Sequence, residues 1–232
     1  MTPHTFLQGL RAGIPIAIGY VPIAIAFGLL AKSVGVPDQI TILLSLFVFA
    51  GASQFMAVQM ATSGVFVSEI IFTTFILNLR HFLMTASLGQ RLEPTSTPWR
   101  FLLAYGVTDE TFSVASLQKS HVLGKSYILG LNLLAYSFWN IGTWVGLFLS
   151  SSIPSSIQQS MGIALYAMFI GLLMPSIRGS SKVLLVVVAA VIVQVLLSSM
   201  GWLSNGWRII IATICGAAVG ALLFREEESP HE

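Results

Sequence analysis

The stretch GLRAGIPIAIGYVPIAIAFGLLA, residues Gly9–Ala31, decides the class of fold, because Arg11 is the single charge in its 23 residues. A membrane-spanning helix needs about 20 mostly apolar residues. The chain as a whole has the same character, since 55% of its residues are hydrophobic and only 9% are charged. Soluble domains carry about a quarter of their residues as charges. The sequence therefore predicts an integral membrane protein and excludes a soluble enzyme.

Charge and cysteine content exclude further classes. The net charge is only +2 and the basic residues are scattered singly, so no surface could bind a nucleic acid. The single cysteine, Cys215, has no second cysteine in the chain with which to form a disulfide. We expect no nucleic-acid partner, no cofactor and no metal site.

Seven apolar runs have the length of a membrane-spanning helix. They are Gly9–Ala31, Gln39–Ala61, Val65–Leu88, Tyr127–Leu149, Gln158–Pro175, Lys182–Leu197 and Trp207–Phe224. An eighth run, Phe101–Leu117, carries Asp109 and Glu110 at its centre, which predicts a broken helix inside a bundle or a re-entrant segment. The predicted fold is an all-α polytopic bundle of seven to eight transmembrane segments. It forms one transporter domain over residues 1–232, with a short acidic tail at 226–232.

The distribution of basic residues predicts the orientation of these segments, because Lys and Arg near span ends stay on the cytoplasmic side. If Phe101–Leu117 does not cross and the N-terminus lies outside, eight basic residues are inside and two are outside. Full crossing, with both termini inside, gives six against four. We therefore expect seven crossings with a cytoplasmic C-terminus.

Glycine spacing suggests both a repeat and close helix packing. Gly28 followed by Pro37 resembles Gly146 followed by Pro154, at an offset of 118 residues, which suggests repeat halves 1–118 and 119–225. Three Gly-x-x-x-Gly pairs, in which small residues let helix backbones approach, are Gly9/Gly13, Gly142/Gly146 and Gly216/Gly220. The last two pairs are candidates for packing against a partner protein.

Charges within spans are the strongest candidates for function, because each costs at least about 2.5 kcal/mol in the hydrocarbon region. We identify Arg80 and His81 in the third run, and Asp109 and Glu110 in the weak run. Arg80 either extends to the headgroups or lines a polar cavity. The two acids either form a structural ion pair with Arg80, or bind a cation, an ammonium group or a proton.

Polar residues near these charges complete the candidate site. Asn78 shares a helical face with His81, and Thr108 precedes the acids. Ser53 and Gln54 interrupt the second run within Gly51-Ala52-Ser53-Gln54-Phe55, where they serve either helix packing or substrate contact.

Three motifs together resemble the AzlC family of branched-chain amino acid permeases: Phe49-Ala50-Gly51-Ala52-Ser53-Gln54-Phe55, Asn78-Leu79-Arg80-His81 and Thr108-Asp109-Glu110-Thr111-Phe112. The resemblance implies a multi-pass transporter of the inner (plasma) membrane. It implies export of valine, leucine, isoleucine or related amino acids, driven by an ion gradient, with a small multi-span partner of the AzlD type. The substrate-binding or coupling residues would be Ser53, Gln54, Asn78, Arg80, His81, Thr108, Asp109 and Glu110.

Two other classes of function remain open from the residues themselves. A channel or a non-transporting membrane subunit would share the composition, although no repeated filter sequence is present. An intramembrane protease would need Ser53 and His81 as nucleophile and base, and nothing in the sequence identifies an oxyanion hole. We therefore expect no enzymatic activity.

Overall fold

The computed structural model describes residues 5–154, 162–199 and 203–223, and its regular elements in these ranges are α-helices. The start of the predicted run Gln158–Pro175 and the acidic tail at 226–232 lie outside the described residues. The helices are α1 (Phe6–Ser33), α2 (Asp38–Phe47), α3 (Gly51–Thr62), α4 (Val67–Arg91), α5 (Thr97–Tyr105), α6 (Asp109–Ser116), α7 (Lys125–Leu149), α8 (Gly162–Gly179), α9 (Ser181–Ser199) and α10 (Asn205–Leu223).

The all-helical prediction is confirmed for these residues, and four helices are long and apolar enough to cross a membrane: α1, α4, α9 and α10. The chain divides into two compact units. Unit 1 comprises Met1–Val58 and Leu77–Leu165, and unit 2 comprises Gln59–Ile76 and Tyr166–Glu232.

Helices α1 and α7 form the centre of unit 1 and pack backbone to backbone. A Cβ at Gly9 would lie 2.0 Å from the carbonyl oxygen of Tyr127, and one at Gly28 would lie 2.5 Å from that of Thr143. Gly146 in turn faces Gly28, its contacts including the Gly28 Cα at 3.1 Å. The N-terminal parts of the helices thus meet each other, as do the C-terminal parts, so α1 and α7 run parallel. Only glycine permits this separation.

The predicted continuous span Gln39–Ala61 is wrong, because α2 and α3 form an antiparallel hairpin. Phe49 has a φ of 44°, in the left-handed region that side-chain-bearing residues rarely adopt, and the helical course stops there. Helix α2 starts beside the end of α1, where Lys32 and Asp38 form an ion pair of 2.6 Å. The chain bends sharply between the two helices, since Gln54 Nε2 in the first turn of α3 donates to Ser45 Oγ in the last turn of α2 at 3.1 Å.

The weak run Phe101–Leu117 is a broken helix, as one of the two alternatives predicted. Helices α5 and α6 are separated by Gly106, Val107 and Thr108. Both ends of this second hairpin lie near the start of α7: the Lys125 ammonium is 5.9 Å from the Trp99 ring centroid, and Arg91 donates to the carbonyl oxygens of Ser116, Gln118 and Ser120. The two hairpins therefore enter unit 1 from opposite ends of the α1–α7 pair.

The two hairpins also match in their dimensions. For the hairpin α2–α3, the preceding helix ends at Ser33, the first hairpin helix ends at Phe47 and the second begins at Gly51. For the hairpin α5–α6, the corresponding residues are Arg91, Tyr105 and Asp109. Each of these pairs is 58 residues apart.

The glycine pairs proposed for partner contact are instead covered within the chain. Gly142 and Gly146 pack against α1. In unit 2, a Cβ at Gly216 would lie 3.1 Å from the Ala190 Cβ, and one at Gly220 would lie 3.2 Å from Val186 Cγ2, so this face packs on α9. The sequence prediction that these two faces could bind a partner is wrong, because the same small residues serve packing within the chain.

Unit 2 contains a buried acid that the sequence analysis missed. Glu69 is 8% exposed, and its Oε1 accepts hydrogen bonds from the Ser204 hydroxyl and the Trp207 backbone N–H. The carboxylate thus caps the N-terminus of α10, where a negative charge is favourable.

Candidate functional site

The charged residues predicted from the sequence meet in unit 1. Arg80 Nη1 lies 3.0 Å from Asp109 Oδ2, with side chains 35% and 31% exposed. Arg80 is 11 residues before the end of α4 at Arg91, or about 16 Å along the helix. The ion pair therefore joins the middle of α4 to the first turn of α6.

Tyr20 orders the second acid. Its hydroxyl donates to Glu110 Oε2 at 2.5 Å and lies 2.7 Å from Thr108 Oγ1. Tyr20 is 5% exposed, and its ring packs edge-on against Trp139 at 5.3 Å and Phe49 at 6.4 Å. The sequence analysis missed Tyr20, because a tyrosine in an apolar run is indistinguishable from a packing residue.

Thr108 caps helix α6 and so fixes the position of the two acids. Its Oγ1 accepts the N–H of Thr111 at 3.3 Å, and Thr111 Oγ1 accepts the N–H of Thr108 at 2.8 Å. This reciprocal capping box starts the helix at Asp109. The negative charges of Asp109 and Glu110 then lie at the positive end of the helix dipole.

Helix α4 also contacts the first turn of α3. The Ser53 hydroxyl donates to Asn78 Oδ1 at 2.6 Å, and Ser53 is 1% exposed. Asn78 and Arg80 are two residues apart, so α4 links the start of α3 to the start of α6. His81, the next residue along α4, is half-buried.

Gln54 belongs to a separate polar cluster between α2, α3 and α7. It is fully buried, and the Ser45 hydroxyl that accepts from it lies 2.8 Å from Thr143 Oγ1. Gln54 Oε1 has no hydrogen-bond partner among the described residues. Neither Ser45 nor Thr143 was identified from the sequence, because single hydroxyls are common in membrane helices.

The two hairpins meet at their tips. The last turn of α2 leaves the carbonyl of Leu46 free, and both Tyr105 and Tyr136 donate their hydroxyls to it, the latter at 3.0 Å. The Phe49 ring lies 6.5 Å from that of Tyr105 and 5.1 Å from that of Tyr136. Aromatic side chains thus close the space between the tips.

A mostly apolar pocket of about 450 Å³ lies on one side of the break between α5 and α6. It lies between the C-terminal half of α4, helix α5 and α7, and Val107, the residue before Thr108, is part of its wall. Its other walls include Phe82, Leu88, Phe101, Leu103 and Ile128. Most of the wall is apolar and could hold an aliphatic group, and four polar side chains also line it: Thr85, Gln90, Thr97 and Arg100.

Comparison with known proteins identifies a family and several relatives. The family model described as AzlC protein matches residues 15–153. An Archaeoglobus fulgidus membrane protein, described as uncharacterized, is 32% identical over 75% of this chain and 77% of its own. The Escherichia coli inner membrane protein YgaZ is 29% identical over 98% of this chain and 94% of its own.

A third relative carries a functional name. The Bacillus subtilis branched-chain amino acid transport protein AzlC is 24% identical over 68% of this chain and 62% of its own. No solved structure matches the chain significantly. The matched segment, residues 15–153, includes all three sequence motifs and the ion pair.

Proposed function

Since the chain belongs to the AzlC family of membrane proteins, we propose that it exports branched-chain amino acids across the inner membrane. The family is linked to amino-acid transport, and one relative is named for branched-chain substrates. We propose valine, leucine and isoleucine as substrates, an ion gradient as the driving force, and no enzymatic activity.

The observation that carries this proposal is the ion pair between Arg80 at the middle of α4 and Asp109 at the start of α6. An amino acid is a zwitterion, so its site needs a positive group for the carboxylate and a negative group for the ammonium. Arg80 and Asp109 lie 3.0 Å apart and are about one-third exposed, so substrate could reach both. Glu110, held by Tyr20, is a second acid for the ammonium or for a coupling proton.

The pocket beside Val107 supports the choice of a branched aliphatic substrate. It begins one residue before the cap of α6, and its walls are mostly apolar. Burying a leucine or isoleucine side chain there would gain about 2 kcal/mol by removing apolar surface from water. The polar groups of the wall, including the positive charge of Arg100, leave lysine as the side chain that fits this pocket least well.

We propose a membrane topology that differs from the seven crossings predicted from the sequence. Helices α1 and α4 cross, and so does α7, which is less apolar but has 25 residues and packs along α1. The hairpins α2–α3 and α5–α6 enter from opposite faces and end midway. Between the end of α1 and the start of α7, only α4 then crosses the membrane. Helices α1 and α7 therefore cross in the same direction, and their parallel packing supports this.

Charge supports this orientation. In unit 1, five basic residues lie at the end where α4 stops and α7 starts, and only Lys32 lies at the other end; the five are Arg11, Arg91, Arg100, Lys119 and Lys125. The first end is therefore cytoplasmic, together with the N-terminus. With α8, α9 and α10 crossing as well, the C-terminus is also cytoplasmic.

We propose that a small multi-span protein of the AzlD type assists transport. Because Gly142/Gly146 and Gly216/Gly220 are covered within the chain, this partner would contact other faces of the helices. Co-reconstitution tests this: transport by the single chain at the same rate as by the pair would remove the need for a partner.

The function is tested by counterflow of labelled amino acids in proteoliposomes. We expect preloaded leucine, isoleucine or valine to drive accumulation of labelled leucine, and lysine or glutamate to fail. A channel would equilibrate the label without transient accumulation. The proposed function would be contradicted if folded protein, reconstituted with its partner, showed no counterflow with any branched-chain amino acid.

A further inference from the structure

The N-terminus of α3 is buried and lacks a cap. Ala50 precedes the helix, is 3% exposed and accepts the N–H of Gln54 at 3.0 Å, which makes it the N-cap residue. Alanine has no side-chain oxygen to accept the N–H groups of the first turn. Among the described residues, no acceptor faces the backbone N–H of Gly51, Ala52 or Ser53. Unsatisfied donors at a buried helix end require a partner, and a ligand is one such partner.

The side chain that packs on Gly51 carries another buried donor without a partner. Trp139 is 2% exposed, and its Nε1 has no hydrogen-bond partner among the described residues. Its indole ring lies against Gly51: a Cβ there would be 2.7 Å from Cη2 and 3.3 Å from Cζ2, and Nε1 is two bonds from Cζ2. A buried indole N–H normally finds an acceptor, so its lack of one indicates a missing acceptor atom.

The corresponding helix of the other hairpin has the opposite chemistry. Helix α6 begins 58 residues after α3, and Thr108 stands where α3 has Ala50. Thr108 caps α6, and acids follow it. One tip therefore presents uncapped N–H donors and the partial positive charge of a helix N-terminus, and the other presents two carboxyl groups. Asn78 and Arg80 connect the two tips through Ser53 and Asp109.

We propose that the first turn of α3, together with Trp139 Nε1, binds the α-carboxylate of the substrate, and that the acids of α6 receive its ammonium group. This rests on the proposed function, in which the substrate is an amino acid. Arg80, which pairs with Asp109, and these backbone donors then contact the carboxylate together. The Ser53 hydroxyl keeps its hydrogen bond to Asn78. The carboxylate therefore binds to donors without breaking an existing hydrogen bond.

The test introduces an internal cap that competes with the substrate. Ala50→Ser supplies a hydroxyl acceptor for the same N–H groups, and Ala57→Ser, in the middle of α3, adds the same hydroxyl away from the helix end as a matched control. Binding of leucine, and of leucinamide, which keeps the ammonium and lacks the carboxylate, is measured on the purified full chain, with thermal unfolding recorded alongside.

We expect Ala50→Ser to raise the unfolding temperature and to weaken leucine binding roughly five-fold or more, because an N-cap hydroxyl and a carboxylate would occupy the same donors. Leucinamide should bind the wild type and Ala50→Ser with equal, weak affinity. Ala57→Ser should bind leucine as the wild type does. Unchanged leucine affinity in a stabilised Ala50→Ser variant would overturn the proposal.

A second variant keeps the test decisive if Ala50→Ser does not fold. Trp139→Phe keeps an aromatic ring and removes the Nε1 donor, and it should weaken leucine binding while leaving leucinamide binding unchanged. Equal losses for both ligands, or none, would contradict the carboxylate subsite. A folded wild type that neither binds nor transports leucine would instead refute the proposed function itself.

Discussion

Arg80 is the residue whose possible roles lead to the most different experimental results. In the structure it pairs with Asp109 at 3.0 Å, yet both side chains remain about one-third exposed. A purely structural pair would explain the contact, and a site that opens to substrate would explain the exposure. Replacing the planar guanidinium with an ammonium separates these roles, because lysine keeps the charge and loses the two parallel donors.

We expect Arg80→Lys to raise the apparent substrate constant for leucine several-fold while the protein remains folded. Arg80→Ala should reduce the yield of folded protein, because it leaves Asp109 as an unpaired charge, and Asp109→Asn in the same chain should restore the yield. Leucine transport and size-exclusion profiles of the three variants provide the measurements. A neutral Arg80→Lys would assign Arg80 to the scaffold.

Single residues could be predicted from the sequence where they carry a cost in energy. Arg80, Asp109 and Glu110 stood out as charges within apolar runs, and the structure brings the first two together. Tyr20 and Trp139 gave no such signal, since aromatic residues are ordinary in membrane helices. Glu69 should have been found, because it lies within the predicted run Val65–Leu88 and is equally costly there.

At the scale of the elements, the α1–α7 pair is the scaffold against which both hairpins pack. The close approach at Gly28 and Gly146 leaves no room for a side chain. Gly19, on the same helix α1, has no heavy atom within 4 Å of its Cβ position and provides a matched control.

We expect Gly28→Ala to destabilise the protein by about 1–3 kcal/mol, because its methyl group would meet the Thr143 backbone carbonyl and force the helices apart. Gly19→Ala should be neutral or stabilising by up to about 1 kcal/mol, since alanine is the better helix former. Thermal unfolding in detergent measures both. Equal unfolding temperatures for the two variants would contradict the close contact.

The hairpins mark the limit of prediction from hydropathy. The run Gln39–Ala61 has the length of one span, and its polar interruption at Ser53 and Gln54 was interpreted as helix packing or substrate contact and not as the start of a second helix at Gly51. The turn at Phe49 depends on tertiary contacts of its ring with Tyr20 and Tyr136. The break in Phe101–Leu117 could be predicted, because Asp109 and Glu110 interrupt the apolar pattern.

At the scale of the whole molecule, the proposed topology places the ends of the two hairpins on opposite sides of the membrane. Single cysteines at Ser33, Ser96 and Ser120, in a chain with Cys215→Ser, report this through labelling with a membrane-impermeant thiol reagent. We expect the cysteines at positions 96 and 120 to be labelled by reagent on the cytoplasmic side, and the cysteine at position 33 by reagent on the outer side. Labelling of the Ser33 and Ser96 positions from the same side would restore Gln39–Ala61 as a crossing segment.

The central claim, that the acids at the start of α6 bind the substrate or its coupling ion, is tested most directly by leucine counterflow with Asp109→Asn and Glu110→Gln at matched amounts of folded protein. Asp38→Asn is the control, because Asp38 pairs with Lys32 at a site 46% and 43% exposed, outside the proposed site. We predict that at least one of the two site variants loses counterflow by ten-fold or more while Asp38→Asn keeps it. Wild-type rates in both site variants would contradict the account.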